Sequence, residues 1–263
     1  MESVIAALLA VLDEPGAGII TDFDGTLSPI VADPEKATVH PVTRRALQRL
    51  VETVSLVAVV SGRRASDVAM RLAVPGLVIV GNHGLEWLVG NHVEVASEAE
   101  PWLAAVRAAA AEVQRLCPDV LVEDKAVTVT VHLRRLRDAS RRQAVETVVR
   151  QVASERGLSV RQGREVLELR PPVPIDKGTA VDRLVTRYQL RAVVFAGDDV
   201  TDLDAMRWLV ERRATGHVHA LVIGVWSSEA PSELEQLADL LVPDVDAFAA
   251  VLDEVAHRLA GLQ

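Results

Sequence analysis

Gly18-Ile19-Ile20-Thr21-Asp22-Phe23-Asp24-Gly25-Thr26 (GIITDFDGT, residues 18–26) is the stretch on which the fold of this chain turns. A short apolar run ends abruptly on two acidic residues and a glycine. Continuous rather than alternating apolar runs suit strands buried on both faces, as in parallel sheets. Asp-Gly is turn chemistry. A strand is therefore expected to stop at Thr21 and deliver Asp22 and Asp24 to its carboxyl end. Open parallel sheets bind ligands at that edge.

Four more runs of this kind follow, at residues 54–60 (VSLVAVV), 77–80 (LVIV), 192–196 (AVVFA) and 220–225 (ALVIGV). Helical patterns at about 42–52, 65–72, 178–189 and 202–211 lie between several of them. The alternation predicts an α/β fold, a Rossmann-like parallel sheet core with helices on both faces. The middle of the chain differs. Residues 127–133 (VTVTVHL) and 165–170 (EVLELR) alternate, as half-exposed antiparallel strands do. Helical patterns at about 101–116 and 138–156 accompany them. The expected organisation is a core of 1–100 and 174–263 interrupted by an inserted α+β domain of 101–173. Pro171, Pro172 and Pro174 read as its return linker.

The bulk composition narrows the function. Of 263 residues 49% are hydrophobic, enough for a sizeable core. Acidic residues exceed basic ones by 37 to 28, a net charge of −9 that suits neither nucleic acid nor an anionic membrane as partner. No apolar run approaches the roughly 20 residues of a membrane span. The N-terminal stretch reads as an amphipathic helix and not as a signal peptide. With Cys117 the single cysteine, a cytoplasmic protein is expected. A monomer is the favoured form. Lysine is scarce: Lys36, Lys125 and Lys177 stand against 25 arginines, which raises interest in any lysine beside a motif.

Polar groups follow three of the strands. Asp22 to Thr26 follow the first, Ser61-Gly62-Arg63 the second, and Gly197-Asp198-Asp199-Val200-Thr201-Asp202 the run at 192–196. Asp176-Lys177-Gly178 sits at a helix start after the insert. Asp22, Asp24, Asp198, Asp199 and Asp202 would thus converge on one sheet edge. Like charges so placed require a cation, and hard oxygen donors without a histidine–cysteine grouping point to Mg²⁺. Asp22 is the candidate nucleophile, since a carboxylate needs no activating base. Asp24 is the candidate general acid and then base. Thr26, Ser61 and Gly62 form the candidate phosphate-binding set with Lys177, whose charge opposes the developing negative charge. Asp198, Asp199 and Asp202 are candidate metal ligands or groups that orient them. Each motif alone is ordinary turn or cap chemistry; the information lies in their order and in each falling at an element end.

The ordered set DFDGT, SGR, DKG and GDDVTD resembles the haloacid dehalogenase-like phosphatase superfamily. Asn82-His83-Gly84, VEDKAVTVTVHLR (residues 122–134) and EVLELRPPVPIDKGTAV (residues 165–181) resemble more narrowly the trehalose-6-phosphate phosphatases. The resemblance spans about residues 16–250. It implies a magnesium-dependent phosphatase acting through an aspartyl phosphate, with trehalose 6-phosphate as the small-molecule sugar phosphate. It implies that Mg²⁺ is held by Asp22, Asp198 and the backbone carbonyl of Asp24. The inserted domain would be a substrate-specificity cap in which Glu123, Lys125, Arg134 and Glu168 grip sugar hydroxyls. From spacing alone the cap residues read as ordinary charges on the wet face of a small sheet, and only the resemblance assigns them to substrate. Arg63 and Asn82 join them as candidate substrate-facing residues. Two positions depart from the family pattern, Leu133 where tyrosine is usual and Leu203 where glutamate is usual. Rival readings are a phosphatase for sucrose 6-phosphate or mannosyl-3-phosphoglycerate, a phosphotransferring mutase, and an inactive sugar-phosphate binding module.

Overall fold

The structure, a computed structural model, describes residues 1–261 except 32, 91, 164 and 229. The chain opens with α1 (Glu2–Leu12), β1 (Ala17–Thr21), α2 (Pro41–Thr53), β2 (Leu56–Val60), α3 (Ala65–Leu72), β3 (Val78–Gly81), β4 (Glu86–Val89) and β5 (His92–Val95). The middle holds α4 (Leu103–Leu116), β6 (Leu121–Asp124), β7 (Val129–His132), α5 (Ala139–Glu155), β8 (Ser159–Gly163) and β9 (Val166–Arg170). The return adds α6 (Lys177–Arg187), β10 (Ala192–Gly197), α7 (Asp202–Ala214), β11 (His219–Val225), α8 (Leu234–Leu237), β12 (Leu240–Val242) and α9 (Val245–Gly261).

Two compact units result: Met1–Val93 with Ile175–Gln263, and Glu94–Pro174. The first contains, among the described residues, an eight-stranded sheet ordered β12-β11-β10-β1-β2-β3-β4-β5. The strands from β12 to β3 are parallel and β4 runs antiparallel to β3. β1 lies near the middle with both neighbours parallel to it. Its alternate residues face opposite cores, which is why the run is apolar throughout. Ile19 packs with α1, α2, α3 and α9 residues such as Leu8, Leu47, Leu72 and Leu252. Ile20 packs with α6 and α7 residues such as Leu184 and Met206. The strand order reverses around β1, so β1, β2 and β10 end side by side at one edge.

The second unit holds, among the described residues, a four-stranded antiparallel sheet, β6-β7-β9-β8, with α4 and α5 on one face. Val129, Val131, Leu167 and Leu169 meet Val106, Val113, Val145 and Val149 of those helices. By the two-residue period, Thr128, Thr130, Glu168 and Arg170 take the other face. The expected insert, 101–173, lies within this unit.

The strands absent from the sequence reading are β4, β5, β8 and β12. Three of them are sheet edges. Edge strands are short and part exposed, so they carry little apolar patterning. β8, with four of its five residues exposed, shows the point.

Candidate active site

At the end of β1 the Asp22 N–H donates to the Ala196 carbonyl of β10 at 2.9 Å, holding the two strands together where they finish. The chain then reverses at once. The Leu27 and Ser28 N–H groups both donate to the Phe23 carbonyl at 2.9 Å, and the Gly25 N–H donates to the Ser28 carbonyl at 2.7 Å. Gly25 has φ +82°, and a Cβ there would lie 2.1 Å from an Asp198 carboxylate oxygen. Glycine therefore serves twice, for the turn and for the approach of Asp198.

Lys177 arrives from the start of α6. Asp176 caps that helix: its carboxylate accepts from the Thr179 N–H at 2.8 Å, and the Thr179 hydroxyl bonds the Asp176 backbone in return. The cap puts Lys177 at the first helical position, 2% exposed, where the helix dipole opposes a positive charge. Two carboxylates offset this. Lys177 Nζ donates to Asp22 Oδ1 and to Asp202 Oδ1, each at 2.7 Å. Burial works against the ammonium, but Asp202 and Asp22 outweigh it and hold its pKa above the ordinary lysine value. The other oxygen of Asp202 accepts from the N–H groups of Asp198 (3.1 Å) and Asp199 (3.0 Å). Asp202 thereby fixes both Lys177 and the loop that carries Asp198.

Asp22, Asp198 and Asp202 form a buried trio in which one carboxylate oxygen from each lies within 4.8 Å of the other two. Burial, followed by repulsion from Asp202, pushes the Asp22 carboxyl up to about 8, against the pull of Lys177. Burial and then Asp22 push Asp198 up to about 9. Ionising all three around one ammonium would leave excess negative charge in a dry place, which a cation would neutralise. The donors are all hard oxygens, so the trio fits a divalent metal of the Mg²⁺ type and not a thiolate or imidazole site.

The other expected core residues are placed as follows. Thr26 donates its hydroxyl to Asp198 Oδ1 at 3.4 Å. Ser61, buried, directly follows β2, and its hydroxyl oxygen accepts from the Arg63 N–H at 3.2 Å. Gly62 lies against the His83 ring, where a Cβ would come within 2.6 Å. Asn82 is buried, and its N–H donates to the Arg63 carbonyl at 2.7 Å, so it backs the Ser61–Arg63 loop. Asp24 is held by the Arg63 guanidinium through both carboxylate oxygens, at 2.6 and 2.8 Å. Asp199 is exposed and outside the buried trio.

In the second unit Glu123, Thr130 and Glu168 occupy one cross-strand row of β6, β7 and β9. Glu168 accepts from the Thr128 hydroxyl at 3.2 Å and has Lys125 and Arg170 at 4.0 and 3.6 Å. Glu123 pairs with His132 at 2.9 Å. Arg134 is exposed beyond the end of β7, with Glu165 as a charged neighbour.

Glu86 is a site residue that the sequence does not announce. It is 2% exposed on β4, opposite Gly81, and its carboxylate accepts from the Ala65 N–H at 2.9 Å. Arg64 at the N-cap of α3 makes no side-chain cap, so Glu86 caps the helix from the neighbouring strand. This anchors the loop carrying Ser61 and Arg63. Glu86→Ala is expected to cost roughly 1–3 kcal/mol, seen as a lower denaturant midpoint, because it strips an acceptor from a buried N–H. Glu86→Gln should lose less. Equal stability of Glu86→Ala and the unaltered protein would rule this capping role out.

Comparison with known proteins adds the lineage. Residues 20–238 match the family described as trehalose-phosphatase. A trehalose-phosphate phosphatase of Mycobacterium marinum is 39% identical over 205 residues, which cover 74% of this chain and 52% of that protein. A Mycobacterium tuberculosis protein described as an uncharacterized glycosyl hydrolase is 39% identical over 198 residues, covering 71% of this chain and 15% of its own length. The chain thus spans about half the length of the trehalose-phosphate phosphatase it matches and a small part of the longer protein. Among solved structures, the C-terminal domain of Candida albicans trehalose-6-phosphate phosphatase has a TM-score of 0.74 at 21% identity, with 96% of both chains covered. A haloacid dehalogenase-like hydrolase from Bacteroides thetaiotaomicron has a TM-score of 0.62 at 16% identity, covering 95% of this chain and 100% of its own. These likenesses agree on the fold. With the family match over residues 20–238, this chain belongs to the trehalose-phosphatase family.

Proposed function

We propose that this chain hydrolyses trehalose 6-phosphate to trehalose and phosphate through a phosphoaspartate at Asp22. The observation that carries the reading is the meeting of Asp22, Lys177 and Asp198 at the carboxyl edge of the parallel sheet, in a member of this family. Asp22 attacks phosphorus and the sugar oxygen leaves. Asp24 gives that oxygen a proton and afterwards takes one from the water that attacks the phosphoaspartate. Lys177 keeps Asp22 in place and opposes the charge that builds on the phosphoryl oxygens. Ser61 and the Thr26 loop line the same edge and are assigned to the phosphoryl group.

Asp22, Asp198 and the Asp24 carbonyl would hold Mg²⁺, which when bound supplies positive charge against the phosphoryl oxygens. Asp202 belongs to the shell behind it, since one of its oxygens accepts from Lys177 and the other from two backbone N–H groups. In the second unit we assign sugar recognition to Glu123, Lys125, Arg134 and Glu168, which makes that unit a substrate-specificity cap. No helix among the described residues is long and apolar enough to cross a membrane. We place the reaction in the cytoplasm, consistent with a single cysteine.

A phosphate-release panel tests this. Trehalose 6-phosphate, sucrose 6-phosphate and mannosyl-3-phosphoglycerate are supplied with Mg²⁺, and each again with EDTA. The expected result is the highest kcat/KM on trehalose 6-phosphate and silence with EDTA. Equal or better turnover of another sugar phosphate would overturn the substrate, and undiminished activity in EDTA would overturn the metal.

A further inference from the structure

Arg63 is held at every part of its guanidinium that the site displays. Nε donates to Asp24 Oδ2 at 2.6 Å and Nη2 to Asp24 Oδ1 at 2.8 Å, a planar two-point pair. Nη1 donates to Asp67 Oδ2 at 3.0 Å, and the guanidinium lies 5.4 Å from the Phe23 ring centroid. Asp67 is itself fixed, accepting from Arg71 Nε through both oxygens at 2.9 Å. Arg71 reaches on to the carbonyls of Ala37 (2.7 Å) and Glu35 (3.0 Å). The result is one chain of alternating charge, Asp24–Arg63–Asp67–Arg71, tied to the loop before α2. Arg63, Asp67 and Arg71 are only 13%, 25% and 15% exposed as side chains, so water screens them weakly, while Asp24 at the other end is 37% exposed. The backbone under Arg63 is fixed as well, since Asn82 donates to its carbonyl and Glu86 caps the helix two residues on.

Such an arginine is poorly placed to be the substrate ligand that the sequence suggests. A guanidinium recognises a phosphate by its fork, and the Nε–Nη2 fork of Arg63 is spent on Asp24. What the fork does fix is the plane of the Asp24 carboxylate, through an element that Asp67 and Arg71 hold rigid. We propose that Arg63 is a positioning residue for Asp24, and that the Asp67–Arg71 pair keeps Arg63 aligned. The proposal rests on the reading of Asp24 as the proton-transferring group. Its prediction is a defect in the chemical step with substrate binding spared.

The test is steady-state kinetics of the full chain on trehalose 6-phosphate with Mg²⁺, using Arg63→Gln, Arg63→Lys, Asp67→Asn, Asp24→Ala and the Asp24→Ala/Arg63→Gln double variant. Arg63→Gln is expected to lower kcat about 10–100-fold with KM within about threefold of the unaltered value, as a misaligned catalytic group does. Arg63→Lys should not rescue, because an ammonium keeps the charge and loses the fork. Asp67→Asn should show a smaller loss, again in kcat. In the Asp24→Ala background Arg63→Gln should add less than about threefold, since the group it positions is gone. A raised KM with kcat kept, rescue by lysine, or losses that multiply in the double variant would each overturn the proposal. The clamp is also readable without turnover. The Arg63 Nε–H resonance should be slow to exchange in the unaltered protein and lose that protection in Asp24→Ala. Unchanged protection would overturn the clamp. Failure of the unaltered protein to release phosphate from any sugar phosphate would instead overturn the functional reading on its own.

Discussion

Asp22→Asn is expected to lower phosphate release by roughly 10⁴-fold or more, as removal of a nucleophile does. The amide is the same shape but cannot form a phosphoaspartate. The protein should remain folded, and the reason is in the site. Asp22 is buried with Asp198 and Asp202, and burial and Asp202 together raise its pKa to about 8. An ionised Asp22 is therefore an electrostatic liability to the metal-free fold, which a neutral amide relieves. The melting temperature without metal should equal or exceed that of the unaltered protein. Circular dichroism melts and a phosphate-release assay check the pair of outcomes. Activity retained at more than a small fraction would show that another group attacks phosphorus.

Lys177→Met carries the largest expected loss of stability. The ammonium is 2% exposed and bonded to two buried carboxylates, so its removal leaves Asp22 and Asp202 facing each other without a counter-charge. Breaking a buried pair from one side costs about 3–5 kcal/mol. Turnover should vanish too, since on the proposed mechanism Lys177 supplies the charge that opposes the transition state. The two losses separate in a second variant. Adding Asp202→Asn to Lys177→Met removes one orphaned charge and should recover part of the stability, measured by chemical denaturation, while turnover stays absent. If Lys177→Met melted like the unaltered protein, the buried triad of Asp22, Lys177 and Asp202 would not be the arrangement that holds this edge together.

What could be read from the residues follows from where each side chain's partners lie. Asp22 and Lys177 are 155 positions apart, yet each stands at the end of a recognisable element: an unbroken apolar run before Asp22, and an Asp176–Thr179 cap around Lys177. Runs buried on both faces announce themselves, so β1, β2, β3, β10 and β11 were legible and their shared edge followed. Edge strands such as β8 and β12 have one face or less to bury and left little pattern. Glu86 was invisible for a related reason. Its task depends on the antiparallel register Gly81–Glu86 and on the position of α3, and neither is encoded near residue 86. Arg63 shows the intermediate case. Its place after β2 marked it as a site residue, and Asp67 and Arg71 follow at four-residue spacing. That its fork closes on Asp24 depends on two loops from different strands. Spacing also gave five acidic residues one destination. Side-chain direction divided them: Asp22, Asp198 and Asp202 are buried together, Asp24 turns to Arg63, and Asp199 faces solvent.

The most direct test is to stop the reaction in acid during turnover of trehalose 6-phosphate and map any phosphorylated peptide by mass spectrometry. The account predicts one phosphoryl group on Asp22 that Asp22→Asn abolishes and that accumulates when Asp24 can no longer activate water. A phosphoryl group on any other residue, or brisk phosphate release with Asp22 never modified, would contradict it.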